Sequence, residues 1–260
     1  MRAIFPLFIL LALPFSAFSE DSFPKFKAQT IDPNIGKVCY AVTLADVDGD
    51  SNQDIVAVSE NRVLWYHNPT WKPHVIIQDE TPPDNVCIAA LDIDRDGNVD
   101  FALGAGWTKI GTIHWLHRGA SLDDPWQMRS VGEEQGLHRM RWADVLGTGR
   151  LQLVISPLNA TVGDGVRLTA FEIPEDPFTD RWLPTVLNGE LNQMHNHWHV
   201  DFDGNGTTDV FANNASSKNS WDISYGASSR WTKINSSSYK THQIKLGDFN
   251  GDGRADVLRR

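Results

Sequence analysis

Five short acidic segments hold most of the residues in this 260-residue sequence that could do chemistry. They read Asp46-Val-Asp48-Gly-Asp50-Ser-Asn-Gln-Asp54, Asp92-Ile-Asp94-Arg-Asp96-Gly-Asn-Val-Asp100, Asp144-Val-Leu146-Gly-Thr148-Gly-Arg-Leu-Gln152, Asp201-Phe-Asp203-Gly-Asn205-Gly-Thr-Thr-Asp209 and Asp248-Phe-Asn250-Gly-Asp252-Gly-Arg-Ala-Asp256. Oxygen donors at positions one, three, five and nine, with a backbone carbonyl near position seven, can wrap a calcium ion, which takes six to eight hard ligands at flexible distances. Glycine at position four or six lets the chain turn back at positive φ. Without a cation, four carboxylates this close repel one another. Four of the five segments are expected to bind Ca2+. The first two carry four carboxylates each and should bind best; Asn205 and Asn250 replace one ligand in the fourth and fifth. The third, with Leu146 and Thr148, is expected to survive as a plain turn.

Two other calcium motifs are excluded. An EF-hand needs flanking helices and a bidentate Glu at position twelve, where this chain has Ala57, Leu103, Ala212 and Arg259. Helix-paired loops would also lie closer together than these. First Asp to first Asp, the spacings are 46, 52, 57 and 47 residues, a period that signals a propeller or solenoid. Strand-like runs fill the intervals. In the first unit they are 41–44, 55–58, 63–67 and 74–77; in the second, 88–91, 101–103, 112–116 and 127–131; in the third, 140–143, 153–156, 166–173 and 183–187. Four short strands per unit, with the acidic loop joining the first two, describe propeller blades. The sequence predicts an all-β propeller of about four full blades and a partial fifth over residues 20–260.

Asp-x-Asp-x-Asp-Gly-x-x-Asp between two strands, repeated every fifty residues or so, resembles the FG-GAP and VCBS repeats of integrin-α-type propellers. The stretch from Trp221 to Trp231 and on through Asp256 looks much like a bacterial VCBS repeat. His138-Arg-Met-Arg-Trp142, Asp144-Val-Leu-Gly147 and Met194-His-Asn196 are more loosely similar to exported bacterial propellers that share a domain with aldos-2-ulose dehydratase. Relatives of this kind usually have about seven blades, so the resemblance implies a small imperfect ring or a truncated chain. Truncation is the expectation, because propellers protect their edges by closure. Phe26 to Ile31 could supply an outer closing strand.

A second group of residues emerges on aligning the units. Six residues before each first Asp stand Tyr40, Val86, His138, His195 and His242. Histidines converging near a central channel could hold Zn2+ with an open coordination position, or act as general acid and base. His197 and His199 share a strand face with His195. Arg139, Arg141, Trp142 and Trp198 could contact a sugar ring or a carboxylate. The alternative is that the histidines only hydrogen-bond between blades. No catalytic residue is carried over from the dehydratase resemblance.

The remainder of the chain sets the compartment. Arg2, an apolar run over residues 3–15 and small residues at Ala17 and Ser19 form a secretory signal ending at residue 19, too short to span a bilayer. Export to the periplasm, cell surface or medium is expected. The net charge of -10 argues against nucleic acid as partner. Fifteen of the 33 acidic residues sit in the five loops, so four dications would nearly neutralise the chain. Cys39 and Cys87 lie seven and five residues before their loops, on the same side of equivalent strands by parity. They could bridge neighbouring units or serve as two buried apolar side chains. The expected function is a calcium-binding module for a carbohydrate or protein ligand. The alternatives are a lyase or isomerase acting on sugar derivatives through the histidines, and a non-functional fragment.

Overall fold

The computed structural model describes residues 25–122, 124–161, 163–214, 220–227, 230–236 and 244–259. The expected signal at 1–19 and His242 lie outside the described residues. The chain divides into Met1–Pro33 and Asn34–Arg260. In the first unit the described residues form no strand, which corrects the expectation of a closing strand from Phe26 to Ile31. Phe26 is 89% exposed. The alternation of Phe26 and Ala28 breaks at Thr30-Ile31, too soon to bury one face.

The second unit is built from antiparallel sheets in sequence order. Sheet one contains β1 (Cys39–Ala45), β2 (Asp54–Ser59), β3 (Arg62–His67) and β4 (Lys72–Gln78). Sheet two contains β5 (Cys87–Leu91), β6 (Asp100–Ala105), β7 (Thr112–His117) and β8 (Gln127–Glu133). Sheet three contains β9 (Leu137–Ala143), β10 (Gln152–Pro157), β11 (Val166–Glu172) and β12 (Leu183–Leu191). Sheet four contains β13 (Met194–Val200), β14 (Asp209–Asn214), β15 (Ser220–Ser224) and β16 (Thr232–Ser236). Among the described residues the fifth sheet has two strands, β17 (Ile244–Gly247) and β18 (Asp256–Arg259). Among the described residues no strand pairing closes the sheets into a ring. This is the all-β propeller architecture that the repeats predict.

Period-two alternation on the second strands explains how the sheets stack. The strands β6, β10 and β14 are buried along their whole length. On β6, Phe101 and Leu103 pack toward sheet one with Val56, Val58 and Trp65. Ala102, between them, packs with Leu153 and Ile155 of sheet three. Val154 faces the other way, with Val210 and Ala212 of sheet four. Phe211 then meets Ile244 of the fifth sheet. Each second strand is therefore apolar on both faces, like a strand buried between two layers. The fourth strands are the outer ones, and β16 is exposed throughout.

Both cysteines are free thiols, Cys39 exposed and Cys87 buried. The parity argument that placed them on one side fails at a β-bulge, because Cys39 pairs with Ser59 while Ala41 pairs with Val58. The extra residue reverses the facing of Cys39 relative to the rest of β1. Burial pushes the Cys87 thiol up to about 12, so it behaves as a small apolar side chain.

Candidate functional site

Each acidic segment forms the hairpin between the first and second strands of its sheet, and the same hydrogen-bond scheme recurs. The position-one carboxylate collects loop N–H groups. Asp46 accepts from Gly49 at 2.9 Å, Asp50 at 3.1 Å and Ser51 at 2.9 Å. Asp201 accepts from Gly204 at 2.8 Å, Asn205 at 3.0 Å and Gly206 at 2.8 Å. Asp248 does the same with Gly251, Asp252 and Gly253. Positions four and six both have positive φ in every loop, including Ser51 at 71° and Arg95 at 65°, the two places where glycine is missing.

Position nine opens the second strand and is a clamp. Asp54 is fully buried and accepts from Val47 N–H at 3.0 Å and from Asn68 N–H, beyond the third strand, at 2.8 Å. Asp209 accepts from Phe202 at 2.8 Å and Gly226 at 2.8 Å. Asp100 accepts from Ile93 at 3.2 Å, and Asp256 from Phe249 at 2.9 Å. In the third loop Gln152 replaces the carboxylate and accepts from Val145 at 2.9 Å and Leu146 at 3.1 Å. The clamp thus survives where the charge is lost.

Oxygens of positions one, three and nine converge in three loops. Asp46, Asp48 and Asp54 can place oxygens within 4.8 Å of one another, as can Asp92, Asp94 and Asp100, and Asp201, Asp203 and Asp209. These hard donors suit a divalent cation. Burial, then the neighbouring Asp94, pushes the Asp100 carboxyl up to about 7. Among the described residues, loops three and five bring no such trio together. Loop three lacks the carboxylates, and loop five has Asn250 at position three while Asp252 keeps position five.

Two histidines at these loops were not found by sequence reasoning. His67 Nε2 lies 3.1 Å from Asp48 Oδ2, and His117 Nε2 lies 3.0 Å from Asp94 Oδ2. Each groups with positions three and five, as Asp48, Asp50 and His67, and Asp94, Asp96 and His117. Both end a third strand as Trp-x-His, Trp65-Tyr-His67 and Trp115-Leu-His117, and that repeated tripeptide was the available signal. Their offsets from the first Asp, 21 and 25 residues, differ because the second unit's hairpin is longer.

The residue six before the first Asp has a specific structural role. In sheet three Leu137 pairs with Pro157 and Arg139 with Ser156, leaving His138 as the bulged extra residue. In sheet four Met194 pairs with Asn214 and Asn196 with Asn213, leaving His195. Tyr40 is the extra residue of β1, and it donates to Asp84 at 2.8 Å. The rings of His138 and His195 stand 5.0 Å apart, with Trp107 5.8 Å from His138. Burial, then Arg139 and His195, lowers His138 to about 3, so its ring is neutral. His197 is fully buried and shares a 3.2 Å contact with His199. Among the described residues no trio of His, Cys, Asp or Glu includes these histidines.

A cavity of about 780 Å³ lies between the first strands of all five sheets. Thr43, Ala89, Arg141, Trp198 and Lys245, each three residues before its first Asp, line it. Trp142, His199 and Arg254 add to the wall. The Arg141 guanidinium donates through Nε to the His197 carbonyl at 2.7 Å and through Nη2 to Asn196 Oδ1 at 3.1 Å.

Left-handed backbone at non-glycine residues costs about 1–2 kcal/mol. Replacing Ser51 or Arg95 by Gly is therefore expected to raise the free energy of unfolding by about 1 kcal/mol each, after the glycine entropy cost. Urea denaturation measures this, and a stability loss in both variants would contradict the loop geometry.

The aldos-2-ulose dehydratase of Phanerodontia chrysosporium is 30% identical to this chain over 188 residues, covering 67% of the chain and 20% of the relative. The chain thus spans about a fifth of that protein's length. The FG-GAP-like repeat matches residues 25–103 and 201–258, more than half of the 260 residues. The two matched stretches contain loops one, two, four and five, and the gap between them holds the degenerate third loop. On this match, and on strands and loops that recur as the repeat requires, the chain belongs to the FG-GAP-like repeat family.

Proposed function

We propose that this protein is a calcium-stabilised β-propeller module, exported by its first 19 residues, that binds a carbohydrate in the cavity ringed by its first strands. The observation that carries the reading is the convergence of five first strands on one cavity with two indoles and a tethered guanidinium in its wall. Indole faces suit the C–H faces of sugar rings, and fixed polar groups orient them. The converging carboxylates of loops one, two and four support Ca2+ as the cation, with loop five as a weaker fourth site. That the similar Phanerodontia chrysosporium protein is an aldos-2-ulose dehydratase is consistent with a saccharide ligand.

An ion that binds only the folded state adds stability by linkage. Each ion held at a hundred times its Kd is expected to raise the melting temperature by roughly 5–10 °C. Chelation should lower melting by at least that much and abolish binding to immobilised saccharides. Unchanged melting would refute the calcium assignment, and no retention on any saccharide would refute the carbohydrate reading.

A second reading, a lyase or isomerase acting on sugar derivatives, is favoured by one observation. Bulges re-aim His138 and His195 toward each other, and bulges are frequent beside active sites. The neutral His138 imidazole, beside the His195 ring, could exchange a proton with a substrate. With an aldos-2-ulose offered as substrate, His138→Ala and His195→Ala are expected to lose turnover with melting intact. If the wild-type chain turns nothing over and the variants only melt earlier, the histidines are structural.

A further inference from the structure

We propose that the central cavity is selective for anionic saccharides, with a carboxylated sugar of the uronate type as its ligand; this rests on the carbohydrate reading above and narrows it. The chain carries a net charge of -10, yet three cations, Arg141, Lys245 and Arg254, line this one cavity. Among the described residues none of the three has a carboxylate within 4.0 Å. The carboxylates nearest in the wall, Asp201 and Asp248, are already engaged by three loop N–H groups each. The cations are therefore available to a ligand rather than neutralised by their surroundings.

Their arrangement distinguishes a fixed donor from adjustable ones. Arg141 is half-buried and held by the His197 carbonyl and Asn196, with its guanidinium 5.9 Å from the Trp198 ring centroid. That leaves its Nη1 for an incoming oxygen. Lys245 and Arg254 are exposed and can swing to meet the same group. Charge-assisted hydrogen bonds to a carboxylate are about twice as strong as neutral ones, and a guanidinium offers them in a fixed plane. Trp142 and Trp198 supply apolar planes in the same wall, which a bare inorganic anion would not use. The volume, about 780 Å³, lies within the range of about 300–1,000 Å³ typical of small-molecule sites.

Isothermal titration of the calcium-supplemented full chain tests this, using glucuronate and galacturonate, the neutral sugars glucose and galactose, and inorganic phosphate. The uronates are expected to bind about tenfold or more tightly than their neutral counterparts and than phosphate. The Lys245→Gln, Arg254→Gln double variant, altered only at exposed side chains, should lose about tenfold in uronate affinity with its melting curve unchanged. Arg141→Lys, which keeps the charge and loses the planar fork, should weaken uronate binding as well. Equal binding of neutral and acidic sugars would overturn the anion selectivity and leave the carbohydrate reading intact. Phosphate binding as tightly as uronate would overturn the saccharide assignment. Failure of every sugar to bind would sink both.

Discussion

A buried side chain at loop position nine is the constraint on which each of the first four blades depends. It ties the first hairpin to the second strand, and in sheets one and four it reaches the turn beyond the third strand as well. Such a residue must be polar, because it satisfies backbone N–H groups that would otherwise be buried without partners. Making it a carboxylate introduces a second demand. A charge out of contact with water needs a counter-charge, and near position nine of the first two loops the other side chains are mostly carboxylates. The third loop shows the alternative solution. Gln152 satisfies the position-two N–H group, that of Val145, and the neighbouring Leu146 N–H without a charge, and carboxylates have also gone from positions three and five. Clamp and ligand set have changed together, as they should if the acidic clamp is tolerated only beside a cation.

The stacking of the sheets follows from strands that have no polar face. Phe101-Ala-Leu103 and Leu153-Val-Ile155 send alternate side chains into different interfaces. Each sheet therefore buries its apolar surface only when a neighbour is present on either side. The fifth sheet, two strands wide among the described residues, covers Phe211 and Trp221 with Ile244 and Leu246. The same stacking points all five first strands at one space, and so creates the cavity without any residue having been dedicated to it.

Much of this was legible in the sequence. Repeat spacing, the acidic loops and strand-length apolar runs gave the architecture, because each depends on contacts close along the chain. What was not legible depended on irregularity in pairing. Counting residues by twos placed Cys39 with Cys87, and a single bulge at Tyr40 undid that parity. Counting back six residues found His138 and His195, but not that they are the unpaired residues of bulges. The residues lining the cavity stand at position minus three, where Thr43, Ala89, Arg141, Trp198 and Lys245 share no chemical type that an alignment of repeats would highlight. His67 and His117 reach the loops from a strand whose distance along the chain varies between units. Loop geometry was legible through glycine at positions four and six, and Ser51 and Arg95 adopt the same backbone where glycine is absent.

The central claim is that clustered carboxylates in the first hairpins capture hard divalent cations and that this capture holds the blades. A direct calcium titration of the chelator-stripped protein by calorimetry tests it most plainly. The account predicts saturable binding of about four ions per chain, with a loss of one ion in Asp94→Ala and no loss in Asp144→Ala, since only the former removes a ligand from a converging trio. Absence of saturable binding, or an equal loss in both variants, would contradict it.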